Sequence, residues 1–147
     1  MTASSAPGPA VTVAEVNAFL AAELPFFPAM GITCAEVEHG VAVTRFAYDD
    51  RWARPGGIVN GVTMMGLADL ATYVAIFTVV GIRPMAVTNE LKMNFLRPAV
   101  GRDVLARATM HKLGRRVAFA SVALTESGDD DRLVAHASSS YVLPDDG

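Results

Sequence analysis

Residues 58–82 (IVNGVTMMGLADLATYVAIFTVVGI) run for 25 positions with a single side chain expected to be charged at neutral pH, Asp69. A segment that is apolar nearly all round suits two structures, a membrane span or the central helix of a packed core. An aspartate at the middle of a bilayer costs roughly 3 kcal/mol, and the flanking sequence reads as soluble strands, so the buried helix is preferred. It should begin near Asn60 or Gly61 and stop around Gly81, with Pro84 beyond.

The elements around this segment follow from period and punctuation. Residues 12–24 carry Val13, Val16, Phe19, Leu20 and Leu24 at helical spacing, with Thr12 and Glu15 as a capping box and Pro25 and Pro28 as the stop. Residues 30–38 and 41–48 are β-prone runs split by His39-Gly40, a tight hairpin, and RWARPGG after them reads as a loop. From residue 85 to 97 the chain alternates, with Val87, Leu91, Met93 and Phe95 on one side and Thr88, Glu90, Lys92 and Asn94 on the other. Runs at 103–113, 115–126 and 132–143, joined by the Gly114 turn and a polar SGDDD segment, complete an antiparallel meander. The order predicts an α+β chain in which a sheet wraps one long helix.

At 147 residues the chain has the length of one domain, here expected over 11–147 behind a loose tail at 1–10. The lone cysteine, Cys34, points to a reducing cytoplasm, and an apolar share of 52% points to surface buried between subunits. A net charge of −3 argues against nucleic acid as a partner. Yet between Arg83 and Arg116 eight basic side chains (Arg83, Lys92, Arg97, Arg102, Arg107, Lys112, Arg115, Arg116) stand against two acidic ones, Glu90 and Asp103. That run is either a set of solvated strand faces or a patch for a compact phosphate-bearing ligand. His39, His111 and His136 are isolated and show no metal-ligand spacing, and no metal or separate cofactor is expected.

GGIVNGVTMMGLADLA at 56–71, AVTNELKMNFLRPA at 86–99 and KLGRRVAFASVAL at 112–124 together resemble the hotdog-fold acyl-CoA thioesterases, of the phenylacetate-pathway and 4-hydroxybenzoyl-CoA thioesterase-like type. The resemblance spans roughly residues 28–143. It implies a hotdog fold, a long central helix wrapped by five to six antiparallel strands, working as a homodimer or a dimer-of-dimers tetramer. The family pattern is a Gly-x-x-His-Gly-Gly turn into the helix, an acid nine positions after the histidine, and a strand ending in Arg-Pro or Ser-Pro. Gly57, Gly61, Asp69, Thr88 and Arg97-Pro98 match it. Asn60 stands in place of the histidine, Val62 in place of the second glycine, and Arg54 where relatives often carry Asn or Gln.

Thioester hydrolysis needs a donor for the developing oxyanion and a base or nucleophile opposite it. The free amide of Gly61 at the helix N-terminus suits the first task and Asp69 the second, as base or as nucleophile. They lie eight residues apart, about 12 Å along one helix, so the resemblance implies a site completed by a facing subunit. Asn60 is read either as an N-cap or as a substrate contact, and Thr88 carries over as a hydroxyl beside the reacting groups. Arg54 is read as a partner for Asp69, as a phosphate ligand, or as an exposed loop arginine. Gly57, Arg97, Arg115 and Arg116 are carried over as substrate-binding, the arginines toward the nucleotide part of coenzyme A. Met64, Met65, Tyr73 and Phe95 would line an apolar acyl pocket or simply pack. The rival readings are a non-catalytic protein of the same fold that binds acyl-CoA or acts as a structural oligomer, and a hydratase or dehydratase. The last normally needs a helix-borne histidine that this chain lacks.

Overall fold

The long apolar segment is a helix. In the computed structural model, which describes residues 6–145, it is α3, Gly61–Val80, and it follows α1 (Val13–Glu23), α2 (Phe26–Ala29), β1 (Ile32–Glu38), β2 (Val41–Phe46), β3 (Ala53–Arg54) and β4 (Ile58–Val59). After it come β5 (Val87–Phe95), β6 (Val104–Leu113), β7 (Val117–Glu126) and β8 (Asp129–Val142). Six strands form one antiparallel sheet in the order β1-β2-β6-β7-β8-β5, while β3 and β4 make a separate two-stranded hairpin. The chain leaves β2, runs through α3 across the inner face, and returns as β5 at the far edge. This is the hotdog fold, with the long helix held in a curved sheet.

Capping residues set the ends of both main helices. The Asn60 Oδ1 accepts the Thr63 amide at 2.8 Å, and Gly81, at φ 82°, ends α3 in a conformation that side chains resist. Thr12 caps α1 by accepting the Glu15 amide at 3.1 Å. By length and composition α3 would also serve as a membrane span, but most of it is buried inside the fold. Two of its threonines, Thr72 and Thr78, bond back to the carbonyls of Ala68 and Ala75.

The floor beneath the helix is made of alanine. Ala42, Ala106, Ala108, Ala118, Ala120, Ala135 and Ala137 are buried on the inner face of four strands, and Ala68, Ala71 and Ala75 answer them from α3. Short side chains let helix and sheet approach closely, and the contact is fixed where Thr44 Oγ1 reaches the Leu67 carbonyl at 2.9 Å. Leu67, Leu70, Val74, Ile76 and Phe77 pack among Phe46, Val104, Val122 and Leu124 to complete the core.

Four local expectations are corrected. Pro28 does not simply stop the first helix; it sits in the first turn of α2, where its missing N–H breaks no helical bond. RWARPGG is a 3-10 turn over Asp50–Trp52 followed by the β3–β4 hairpin, whose Gly56 and Gly57 take φ 89° and 70°. The SGDDD segment is a tight turn at Ser127-Gly128, so β8 begins at Asp129. Most consequential, β5 carries a bulge between Thr88 and Glu90, which places Thr88 on the same face as Leu91 and Met93 rather than opposite them. Residues 1–5 of the expected tail lie outside the described residues; within its remainder Ala10 donates to the Thr78 carbonyl at 2.8 Å, and Val11 next to it is buried.

Candidate active site

Asp69 meets two hydroxyls. Thr88 Oγ1 donates to its Oδ1 at 2.7 Å, and the Tyr141 hydroxyl lies 2.8 Å from the same Oδ1 and 3.0 Å from the Asp69 carbonyl. Thr88 and Tyr141 are direct cross-strand partners on β5 and β8, so sheet register brings both to one helix position. Burial, with the charge of Asp69 next, pushes the Tyr141 phenol well above its ordinary range and keeps it a proton donor. Its ring stacks on Tyr73 at 5.8 Å, and the Tyr73 hydroxyl is tied to the Pro84 carbonyl at 2.8 Å.

A cavity of about 300 Å³ opens onto this carboxylate. Its walls are apolar and aromatic: Leu24, Phe26 and Phe27 from the α1–α2 corner, Leu70 and Tyr73 from α3, and Ala86 and Val87 before and on β5. A second cavity, of about 310 Å³, lies at the N-terminal end of α3, between Arg54, Ile58, Gly61, Met64, Phe95 and Arg97. There the first turn of α3 leaves amides free: among the described residues the Gly61 and Val62 N–H groups have no partner, while Thr63 is capped and Met64 bonds the Asn60 carbonyl. Each chain thus holds a carboxylate cavity and an amide cavity, separated along one helix.

The expected site residues divide between these two places. Asp69 and Thr88 share the first; Gly61, Arg54 and Arg97 share the second. Arg54 therefore does not pair with Asp69 within one chain, because β3 holds it at the other cavity. Asn60 spends both side-chain polar atoms inside the fold, Oδ1 on the Thr63 amide and Nδ2 on the Trp52 carbonyl, which gives it the capping role. Gly57 lines neither cavity; its positive φ makes the hairpin turn, and a β-carbon there would stand 3.3 Å from the Tyr48 hydroxyl. Of the apolar candidates, Met64 and Phe95 line the amide cavity and Tyr73 the carboxylate cavity, while Met65 lines neither.

The basic segment is not one patch. Arg97 Nη1 donates to the Leu133 carbonyl at the Phe95 end of β5, whereas Arg116 sits at the Val87 end, where its backbone carbonyl meets Leu143 and its guanidinium pairs with Asp145 at 2.5 Å. The strand between them is about 25 Å long. Arg115 lines a further cavity of about 490 Å³ with Val80, Arg83 and Pro144, and Arg107 faces Glu36 and Glu38 across the outer sheet surface. Among the described residues no cluster of three or more metal-binding side chains occurs. Tyr141 escaped the sequence reading; its signal is a large aromatic after three serines in a strand, a phenol that burial obliges to find a partner.

The profile of the thioesterase superfamily matches residues 56–138, which takes in α3, β5 and most of the meander. The chain belongs to the thioesterase superfamily. Its general activity is accordingly that of a thioesterase. A protein of Saccharolobus solfataricus named as an esterase is 27% identical over 135 residues, 92% of this chain and 87% of its own. Among solved structures, one assigned as a thioesterase from Silicibacter superposes with a TM-score of 0.84 at 28% identity, covering 92% of this chain and 94% of that one. The phenylacetic acid degradation protein PaaI of Thermus thermophilus, in a mutant form, gives a TM-score of 0.70 at 29% identity over 82% of this chain and 99% of its own.

Proposed function

We propose that this thioesterase hydrolyses an acyl-CoA, with the Asp69 carboxylate of one chain facing the Gly61 amide of a second copy. The observation that carries the reading is a carboxylate, braced by two hydroxyls, at the mouth of an apolar cavity that can take an acyl group. Asp69 acts as base on a water or attacks the thioester carbonyl itself, and the oxyanion forms against an amide where the helix dipole concentrates positive potential. Collapse of the tetrahedral species expels the thiolate of coenzyme A. No separate cofactor is needed.

A second copy is supported by what surrounds β5. One side of β5 is bonded to β8 and the other, among the described residues, carries no strand, and Val62, Met65, Met85, Val87, Phe95 and Leu96 are exposed nearby. A two-fold axis across that edge would set the Val87 end of one strand beside the Phe95 end of the other, and so each carboxylate cavity beside an amide cavity. It would also bring Arg97 and Arg54 of one copy toward Arg115 of the other, a spacing suited to the phosphates of coenzyme A. The free, buried Cys34 fits a reducing compartment such as the cytoplasm.

The test is thiol release from a panel of acyl-CoAs by purified protein. Asp69→Asn should cut turnover by roughly a hundredfold or more with melting unchanged. Full activity in that variant would reject the assignment. Asn60, whose side-chain oxygen and nitrogen are both engaged within the fold, favours one alternative, a binding protein of the same fold. It would show coenzyme A derivatives raising the melting temperature with no thiol released.

A further inference from the structure

The two oxygens of Asp69 are not equivalent. Oδ1 takes both hydroxyls, Thr88 at 2.7 Å and Tyr141 at 2.8 Å, while Oδ2 has no hydrogen bond among the described residues. A phenol has one proton to give, and an ionised carboxylate attracts it more strongly than the neutral Asp69 carbonyl 3.0 Å away. Tyr141 is 3% exposed, its ring is stacked on Tyr73, and Tyr73 is pinned by the Pro84 carbonyl, so the phenol has little room to move. Its raised pKa keeps the proton in place throughout neutral pH. Two fixed donors on one carboxylate oxygen lock the rotation of the group about its last bond.

We infer that Tyr141 is a positioning residue which, together with Thr88, saturates Oδ1 of Asp69 and leaves Oδ2 as the oxygen that meets the water or the thioester carbonyl. This rests on the reading of Asp69 as the reacting acid. In the base route Oδ2 takes a proton from water as the water oxygen bonds to the carbonyl carbon, and the proton passes to the departing thiolate. In the nucleophilic route Oδ2 bonds to the carbonyl carbon as the thiolate leaves, and water then cleaves the resulting mixed anhydride, releasing the acid and restoring the carboxylate. Both routes need Oδ2 free and its direction fixed, and neither passes a proton through Tyr141.

The experiment compares purified Tyr141→Phe, Thr88→Val, Thr88→Ser, Asp69→Asn and the Asp69→Asn/Tyr141→Phe double variant on whichever acyl-CoA the parent turns over. Tyr141→Phe keeps the ring and its stacking and should lower kcat roughly tenfold to a hundredfold with KM changed less than about threefold, because misdirection costs rate rather than binding. Thr88→Val should lose rate in the same way and Thr88→Ser recover most of it. In the Asp69→Asn background the tyrosine substitution should have no further effect, since the oxygen it directs is gone. If Asp69→Asn is inactive yet Tyr141→Phe turns over within about twofold of the parent, the positioning role is overturned while the assignment of Asp69 stands. If Asp69→Asn keeps its activity, the assignment itself falls. Should Tyr141→Phe fail to fold, the exposed Thr88 decides: valine and serine variants equal in kcat would overturn the locking of Oδ1.

Discussion

Replacing Gly61 by alanine separates stability from chemistry at the amide cavity. A β-carbon built there stands 3.3 Å from Cζ of Phe95, tighter than ordinary van der Waals contact, and 3.5 Å from its Cε1. The neighbour is the rim of a half-exposed ring on an edge strand, and turning it aside costs roughly 0.5–1.5 kcal/mol. Against this, alanine in a helix gains up to about 1 kcal/mol over glycine through lower unfolded-state entropy. The two nearly cancel, so the melting temperature should move by no more than about 4 °C in either direction. Activity should not be spared. A helical β-carbon tilts toward the N-terminus, into the space from which a thioester oxygen would approach the Gly61 amide. Loss of one oxyanion donor costs about a hundredfold to a thousandfold in rate, and partial obstruction should cost at least about tenfold in kcat/KM. Thermal melting and thiol release on the same preparation measure both effects. A Gly61→Ala protein with parental melting and parental kcat/KM would refute the placing of the reacting carbonyl at this amide.

Two further substitutions probe the frame. Ala120→Leu would push three extra carbons into a fully buried position on the inner face of β7, and should destabilise the fold by about 1–3 kcal/mol in denaturant titration; a variant as stable as the parent would mean that the alanine floor is not closely packed. Burial pushes the Cys34 thiol up to about 11 from an ordinary 9.0, so on raising the pH the unfolded chain loses this proton first. The stability it contributes is fully present below about pH 9 and is lost as the pH climbs through about 11, and Cys34→Ala should show a shallower alkaline decline than the parent; parallel curves would refute the buried thiol as a cause.

What the sequence made legible was whatever depends on local pattern. The apolar run, Asn60 as cap and Gly81 as stop place α3 within a residue of its ends, because capping is a short-range matter of side chain and adjacent amide. The hairpin at His39-Gly40 and the meander after Gly114 follow from alternation and turn residues in the same way. Alternation failed at Thr88. A strand is read two residues at a time, and the bulge after Thr88 adds one residue that leaves no mark in the composition, so every side chain before it changes face.

That single extra residue also explains why the candidate acid was legible but its surroundings were not. Asp69 stands out in sequence because an aspartate in an otherwise apolar helix is costly without partners. Its partners come from β5 and β8, elements 19 and 72 residues away, and they meet it only through sheet register. The same logic undoes the basic segment. Arg97 and Arg116 are near neighbours in the chain, but an extended strand carries its two ends farther apart than any other element of equal length, so charges that cluster in sequence are dispersed in space. A strand that disperses charge within one chain would, paired antiparallel with its own copy, gather it again. On the proposed pairing, the half-exposed edge of β5 would therefore matter more to where a phosphate binds than the count of arginines along it.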